Sequence, residues 1–255
     1  MRNKKFHKEV VVNPKEFEKI LEKIPGVVVD KTARQFAIYY NELIKTNQKY
    51  NLTRITDLNE AYLKHFYDSI IPIFYFNSDL FTQAHSLCDV GTGGGFPGIP
   101  LKIIYPELKL TLLDSSQKKL QFLKNLCELL QLNNVDFVWQ RAEDFGRKKG
   151  REKFDLVVSR AVANLRILSE YCLPLVKKSG NFIAYKGKNG ENEILAANNL
   201  ISMLGGKIQK TVDVDLKKDD DYRTLILIHK IKITPHKYPR ANGQIKAKMK
   251  GSHGK

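Results

Sequence analysis

The sequence predicts an α/β protein: an open sheet of seven strands, five of them parallel and extended by an antiparallel hairpin, with a helical cap at the N-terminus. Three observations carry this. An apolar run at Leu87, Cys88 and Val90 breaks into a glycine cluster at Gly91, Gly93, Gly94 and Gly95, and a second apolar run ends in Asp114. From residue 86 onward, strand-like and helix-like stretches alternate, which is the texture of βα units. The final strand-like stretches, 207–216 and 222–230, leave no room between them for a helix and must pair as a hairpin.

Residues 1–85 read as mostly helical. Phe17, Ile20, Leu21 and Ile24 recur at helical spacing, as do Phe36, Tyr39, Tyr40, Leu43 and Ile44. A third helix is expected over 59–76, with Pro72 inside it as a kink. Gly26 is the only glycine of this stretch, as suits a helical unit. Strands are then expected at 86–90, 109–114, 135–140, 154–159 and 180–186, and helices at 98–105, 116–131, 163–173 and 191–204. In the second of these helices Leu120, Leu123, Leu126, Leu129 and Leu130 are expected to share one face. The chain therefore divides into a helical subdomain (1–85), an α/β domain (86–231) and a basic, flexible tail (232–255).

Composition narrows the partners. Of 255 residues, 43 are Lys or Arg against 27 Asp or Glu, a formal charge of +16 that suits a polyanion. No acid follows Asp221, whereas Lys230, Lys232, Lys237, Arg240, Lys246, Lys248, Lys250 and Lys255 do, and the start carries Arg2, Lys4, Lys5 and Lys8. Such a tail reads as an arm that orders on nucleic acid. Cys88, Cys127 and Cys172 sit in apolar surroundings without metal-ligand spacing, and the histidines form no metal pattern. With no signal peptide and no apolar 18-residue run, the expectation is a soluble, cytoplasmic protein that binds no metal.

The glycine spacing selects the cofactor. Dinucleotide folds use G-x-G-x-x-G, whose third glycine opens a helix N-terminus to pyrophosphate. Here Gly91 and Gly93 match the first two positions, but Phe96 stands at the third and Pro97 follows. A cofactor without phosphate, laying an amino-acid end against the turn, fits better: S-adenosylmethionine. Gly91 and Gly93 let the backbone approach its methionyl part. Asp89 reaches for its amino group, and Asp114, 23 residues after Gly91, suits the ribose hydroxyls. Five βα units plus a terminal hairpin is the Rossmann-like sheet of class I methyltransferases, not the six-stranded parallel dinucleotide sheet.

Several segments together resemble a specific family. They are Tyr50-Asn51-Leu52-Thr53, His65-Phe66-Tyr67-Asp68-Ser69, DVGTGGGFPGIPL (89–101), LLDS (112–115), FLKNL (122–126), Arg141-Ala142-Glu143-Asp144-Phe145, Ser159-Arg160-Ala161, Lys186-Gly187 and Lys237-Tyr238-Pro239-Arg240. On these residues the chain resembles the glucose-inhibited division protein B family, the small-subunit ribosomal RNA guanine-N7 methyltransferases. It departs after Arg240, where it reads ANGQIKAKMKGSHGK. The resemblance implies cofactor contacts at Gly91, Phe96, Asp114, Ala142, Glu143 and Arg160, and a 16S ribosomal RNA or small-subunit substrate.

Each implied residue has a physical reading. Phe96 walls the pocket beside the sulfonium. Ala142 and Glu143 follow the third strand, where adenine lies, although Glu143 serves equally to cap the segment after it. Arg160 ends the fourth strand facing the crevice. Arg160 and Lys186 are expected to position substrate. Arg141, Lys186, Arg223, Lys237 and Arg240 are expected to meet RNA, Arg223 with the weakest claim because it opens a strand and suits a structural role. His65 and Asp68 either shape the pocket or tie the cap to the sheet, the second being favoured. The chemistry is narrowed by elimination. Cytosine C5 needs a covalent cysteine, and Cys172 falls on a helix. Adenine N6 enzymes carry an Asn/Asp-Pro-Pro-aromatic segment where this chain reads SRAV. Guanine N7 needs no general base, so positioning can supply up to roughly 7–11 kcal/mol of the catalysis, with a donor to O6 naming the base. The expected reaction is direct methyl transfer to N7, leaving S-adenosylhomocysteine, by a monomer without obligate protein partners. The alternative is a non-catalytic RNA-binding ribosome assembly factor that retains the fold.

Overall fold

A computed structural model describes residues 12–216 and 222–245. Helix α1 (Pro14–Leu21) starts where Asn13 Oδ1 accepts from Glu16 N at 2.9 Å, with Pro14 in the first turn. Helix α2 (Val29–Tyr50) ends at Asn51, whose φ of 49° reverses the chain. The single helix expected over 59–76 is instead a broken series: α3 (Leu58–Ala61), a π-helical turn (Tyr62–Tyr67), α4 (Asp68–Ile70) and α5 (Pro72–Tyr75). A short α6 (Asp79–Thr82), absent from the sequence expectation, leads into the sheet. The π turn has a physical use. It presents carbonyls to side chains: that of Lys64 accepts from Arg160, and that of His65 accepts from Ser69 Oγ as well as from Asp68 N.

The sheet runs in the order β3-β2-β1-β4-β5-β7-β6. Its strands are β1 (Ser86–Val90), β2 (Lys109–Asp114), β3 (Val135–Trp139), β4 (Phe154–Arg160), β5 (Val176–Lys186), β6 (Gly206–Asp215) and β7 (Tyr222–Lys230). The first five are parallel, and β7 lies antiparallel to both β5 and β6. The connecting helices are α7 (Gly98–Ile104), α8 (Gln117–Leu129), α9 (Ala142–Arg147), α10 (Leu165–Cys172) and α11 (Gly190–Met203).

The central strands are buried on both faces, so they read as apolar runs rather than as alternation. Period 2 then sorts them into two cores. Leu87, Leu110, Leu112, Leu156, Val158, Ile183 and Leu225 pack with the cap, α7 and α8. Cys88, Leu113, Val157, Phe182, Ala184 and Ile226 pack with α10 and α11. On α8 the core face uses Phe122 and Cys127 beside Leu120, Leu123 and Leu126, while Leu129 is exposed, contrary to the expected face. All three cysteines are buried and free.

The stretch after β7 also departs from expectation. Through Ile245 it lies on the body rather than standing off as an arm. Arg151 donates to the carbonyls of Thr234 and Tyr238, Arg147 to that of Pro239, and Ile245 joins the second core. The basic residues expected at 2–8 and 246–255 lie outside the described residues.

Candidate functional site

Parallel strands send their carboxyl ends to one edge, and the chain leaves β1 and β4 in opposite directions, opening a crevice there. The glycine turn sits at this edge. Gly91 N and Thr92 N both donate to Leu113 O, at 2.8 and 3.2 Å, pinning the turn to β2. Gly91 and Gly93 have φ of +70° and +59°, which disfavours a side chain at either. Their surroundings differ. A Cβ on Gly91 would come within 2.4 Å of Val162 Cγ2, so the loop after β4 fills that space. A Cβ on Gly93 would meet only Gly91 O, at 3.9 Å, so Gly93 borders open room.

Asp89 lies fully buried beneath this turn. Its Oδ2 accepts from Thr92 Oγ1 at 2.7 Å and Gly98 N at 2.9 Å, whereas Oδ1 is buried with no hydrogen-bond partner. Burial lifts this carboxyl from 3.8 to about 6, against the opposing pull of its hydrogen bonds and of Arg160. Asp114, also buried, accepts from Gly93 N at 3.0 Å and from Ser116 N at 2.8 Å. Across the crevice, half-buried Ala142 opens α9, and Glu143 Oε1 is a second buried oxygen without a partner. A buried unmet acceptor costs roughly 1–3 kcal/mol. One beneath the glycine turn and one at the start of α9 fit a bound group with N–H donors at both ends. S-adenosylmethionine carries an ammonium at one end and an adenine amino group at the other.

Arg160 is more tightly held than a strand-end cation in a crevice. Its Nη1 donates to Asp68 Oδ2 at 2.6 Å and to Lys64 O at 3.2 Å, and its guanidinium lies 5.2 Å from the Phe96 ring centroid. Arg223 Nε donates to the other Asp68 oxygen at 2.6 Å. Asp68 is wholly buried and joins two strand ends to the cap, which is the tie favoured from sequence. Phe96 stacks on Tyr39 (5.1 Å between centroids) and His65 (4.5 Å), so it belongs to the cap's aromatic cluster more than to an open pocket wall. His65 Nε2 bonds Thr53 Oγ1 at 2.8 Å. Burial, reinforced by the charge of Arg160, lowers the imidazole from 6.5 to about 3 and keeps it neutral.

Other cations expected at RNA are committed internally. Lys186 is buried, donates to Ala163 O at 2.6 Å and pairs with Glu193 at 2.8 Å, so it anchors the loop after β4 rather than facing substrate. Arg240 makes a two-point pair with fully buried Glu170, at 2.8 and 2.6 Å, and is a clamp on the C-terminal segment. Arg223 takes the structural role. Arg141 and Lys237 remain exposed, the latter with its Nζ 5.5 Å from the Tyr238 ring. Sequence reasoning missed Val162 and the left-handed Ala161 (φ 58°), which turn the loop after β4 over Gly91. No periodicity or composition signals such a turn at alanine.

The family model described as "rRNA small subunit methyltransferase G" matches residues 32–222. A ribosomal RNA small subunit methyltransferase G of Lactobacillus acidophilus is 52% identical over 233 residues, covering 91% of this chain and 97% of the relative. The Staphylococcus aureus protein of the same name is 51% identical over 210 residues, covering 82% and 87%. Among solved structures, a putative transferase from Pyrococcus horikoshii superposes with a TM-score of 0.51 at 11% identity, covering 65% of this chain and 64% of that one, a likeness of fold alone.

Proposed function

The chain belongs to the rRNA small subunit methyltransferase G family, and we propose that it methylates N7 of one guanosine in small-subunit ribosomal RNA, using S-adenosylmethionine. The observation that carries the cofactor reading is the buried, unpartnered Oδ1 of Asp89 beside the open backbone of Gly93. When bound, S-adenosylmethionine supplies a methyl group activated on a sulfonium.

In this reading Asp89 Oδ1 accepts from the cofactor's ammonium and Gly93 lets its chain lie close. Asp114 offers the ribose its remaining lone pairs, having already bonded Gly93 N and Ser116 N. Ala142 leaves room for adenine, and Glu143 Oε1 accepts from the exocyclic amine. Guanine N7 carries its own lone pair and loses no proton on methylation, so no side chain has to act as base. That agrees with His65, the imidazole stacked on Phe96, which is hydrogen-bonded to Thr53 and, with its pKa lowered to about 3, is a poor proton acceptor. Arg160 acts as a positioning group held by Asp68, and Phe96 sets its plane. Residues 1–85 serve as cap and 86–231 as the catalytic body. The enzyme works as a cytoplasmic monomer on the ribosomal subunit or its RNA. No described helix is long and apolar enough to cross a membrane.

The test is methyl transfer from labelled S-adenosylmethionine to small subunits from a strain lacking this enzyme, followed by borohydride and aniline cleavage. Cleavage at one guanosine is expected. Transfer without cleavage would refute N7, and no transfer with tight cofactor binding would refute the activity.

A further inference from the structure

The chain's one tryptophan, Trp139, is 59% exposed at the carboxyl end of edge strand β3. It lies in register with Asp114, so it stands one strand from the residue assigned to the ribose. Its indole is not loose, because Nε1 donates to Ser115 O at 3.0 Å and fixes the ring beside the loop after β2. A large apolar ring held in solvent at this edge serves no packing need of the fold.

Its surroundings are cationic. Arg141, two residues on, is exposed and makes no salt bridge among the described residues. From the start of α8, two residues after Ser115, a cleft opens between α2 and α8 whose charged lining is Glu42, Lys45, Lys49 and Lys118, with Tyr50 beside them. Lys45 pairs with Glu42 at 3.4 Å, whereas Lys49 and Lys118 are exposed without such a partner among the described residues. Tyr50 is 49% exposed at the end of α2. Two exposed aromatic rings with cations lacking an ion-pair partner between them suit a single RNA strand: every base has a π-face to stack, and phosphates follow the cations.

We infer that Trp139 is a stacking platform for an unpaired base beside the guanosine that enters the site. The strand runs from there across the Ser115 loop into the α2/α8 cleft, with Arg141, Lys118 and Lys49 on its phosphates and Tyr50 as a second platform. This rests on the RNA substrate proposed above and adds where the RNA lies and which residues hold it.

Because Trp139 is the only tryptophan, the emission of the wild-type protein reports on it alone. Titration with a guanosine-containing single-stranded RNA oligonucleotide should quench it, with an affinity that weakens steeply as salt rises. Trp139→Ala should raise KM for small subunits about 5- to 150-fold, the range for losing one base–aromatic stack, with kcat falling much less. S-adenosylmethionine affinity should stay unchanged, and Trp139→Phe should recover most of the loss. Emission quenched by S-adenosylmethionine alone and insensitive to RNA would overturn the inference and make Trp139 a cofactor wall. An unchanged KM in Trp139→Ala would overturn it as well. If the wild-type protein transferred no methyl group, the proposed activity would fall, while RNA quenching would still support the platform.

Discussion

Asp68 and Arg160 meet at 2.6 Å across the boundary between the helical cap and the sheet, the carboxylate wholly buried and the arginine side chain only 10% exposed. The same carboxylate holds Arg223 from β7 at 2.6 Å. One acid therefore pairs, one oxygen each, with two cations drawn from separate strand ends, and the cap is registered on the cofactor edge through it. Asp68→Ala leaves both arginines without their partner. Truncating one partner of a buried ion pair costs roughly 3–5 kcal/mol, and the lower end applies because the Arg223 side chain is 24% exposed. Denaturant unfolding should show that loss, with methyl transfer falling further than the folded fraction accounts for. A variant of wild-type stability would refute the tie.

Asp89 should make cofactor affinity pH-dependent. Its carboxyl titrates near 6 in the free protein, and only the charged form attracts an ammonium. Calorimetry should show S-adenosylmethionine binding about tenfold more weakly at pH 5 than at pH 7, an order-of-magnitude figure from linkage, and Asp89→Asn should flatten that dependence. For the free protein the sign is opposite. A carboxyl raised from 3.8 to about 6 favours the folded state at low pH, and this contribution is lost as pH rises through 6.

His65 should take no part in proton transfer. With its pKa lowered to about 3, His65 should add no limb of its own near pH 6.5, so that at saturating S-adenosylmethionine, where the Asp89 ionisation no longer shows, the rate is flat through that range, and the ring's NMR shifts should stay constant above about pH 5. Its folded pKa lies below its unfolded one, so its contribution to stability is complete above pH 6.5 and declines as pH falls toward 3. A kinetic limb near 6.5 that vanished in His65→Gln would contradict the neutral, stacked placement.

Arg240 should behave as a clamp rather than an RNA ligand. Glu170→Ala should increase hydrogen exchange over 234–245 and destabilise the protein by roughly 3 kcal/mol, the cost of stranding a paired charge. Arg240→Ala should leave the slope of RNA affinity against salt unchanged, where loss of a phosphate contact would reduce it by about one. Arg141→Ala, by contrast, should lower that slope.

Gly93→Ala separates folding from binding. The left-handed backbone costs a side chain roughly 1–2 kcal/mol, but no neighbouring group crowds the added methyl. Cofactor affinity should therefore fall more than stability does, and equal losses by calorimetry and thermal unfolding would argue against Gly93 bordering the cofactor.

What this sequence determined by itself is whatever depends on local pattern. Apolar runs buried on both faces marked the parallel strands, the short gap after residue 216 forced the hairpin, and Phe96 at the third glycine position argued against a phosphate cradle. Asp89 and Asp114 were legible because their spacing from the glycine turn is set along the chain. What only the tertiary structure decided is which charges are already spent. Arg160, Arg223 and Arg240 carry no sign of a partner in sequence, yet each meets an acid from a distant segment, Asp68, Asp68 and Glu170, and Lys186 is taken up by Glu193 of the helix that follows its strand. The π turn at 62–67 was hidden for the same reason, since the Lys64 carbonyl there meets its donor, Arg160, on a strand nearly a hundred residues away. Periodicity reports a residue's neighbours along the chain, whereas the partner of a charge is chosen by packing across it. Trp139 shows the converse. In sequence it is one more apolar residue of a strand, and only its exposure at the cofactor edge, pinned to Ser115, singles it out.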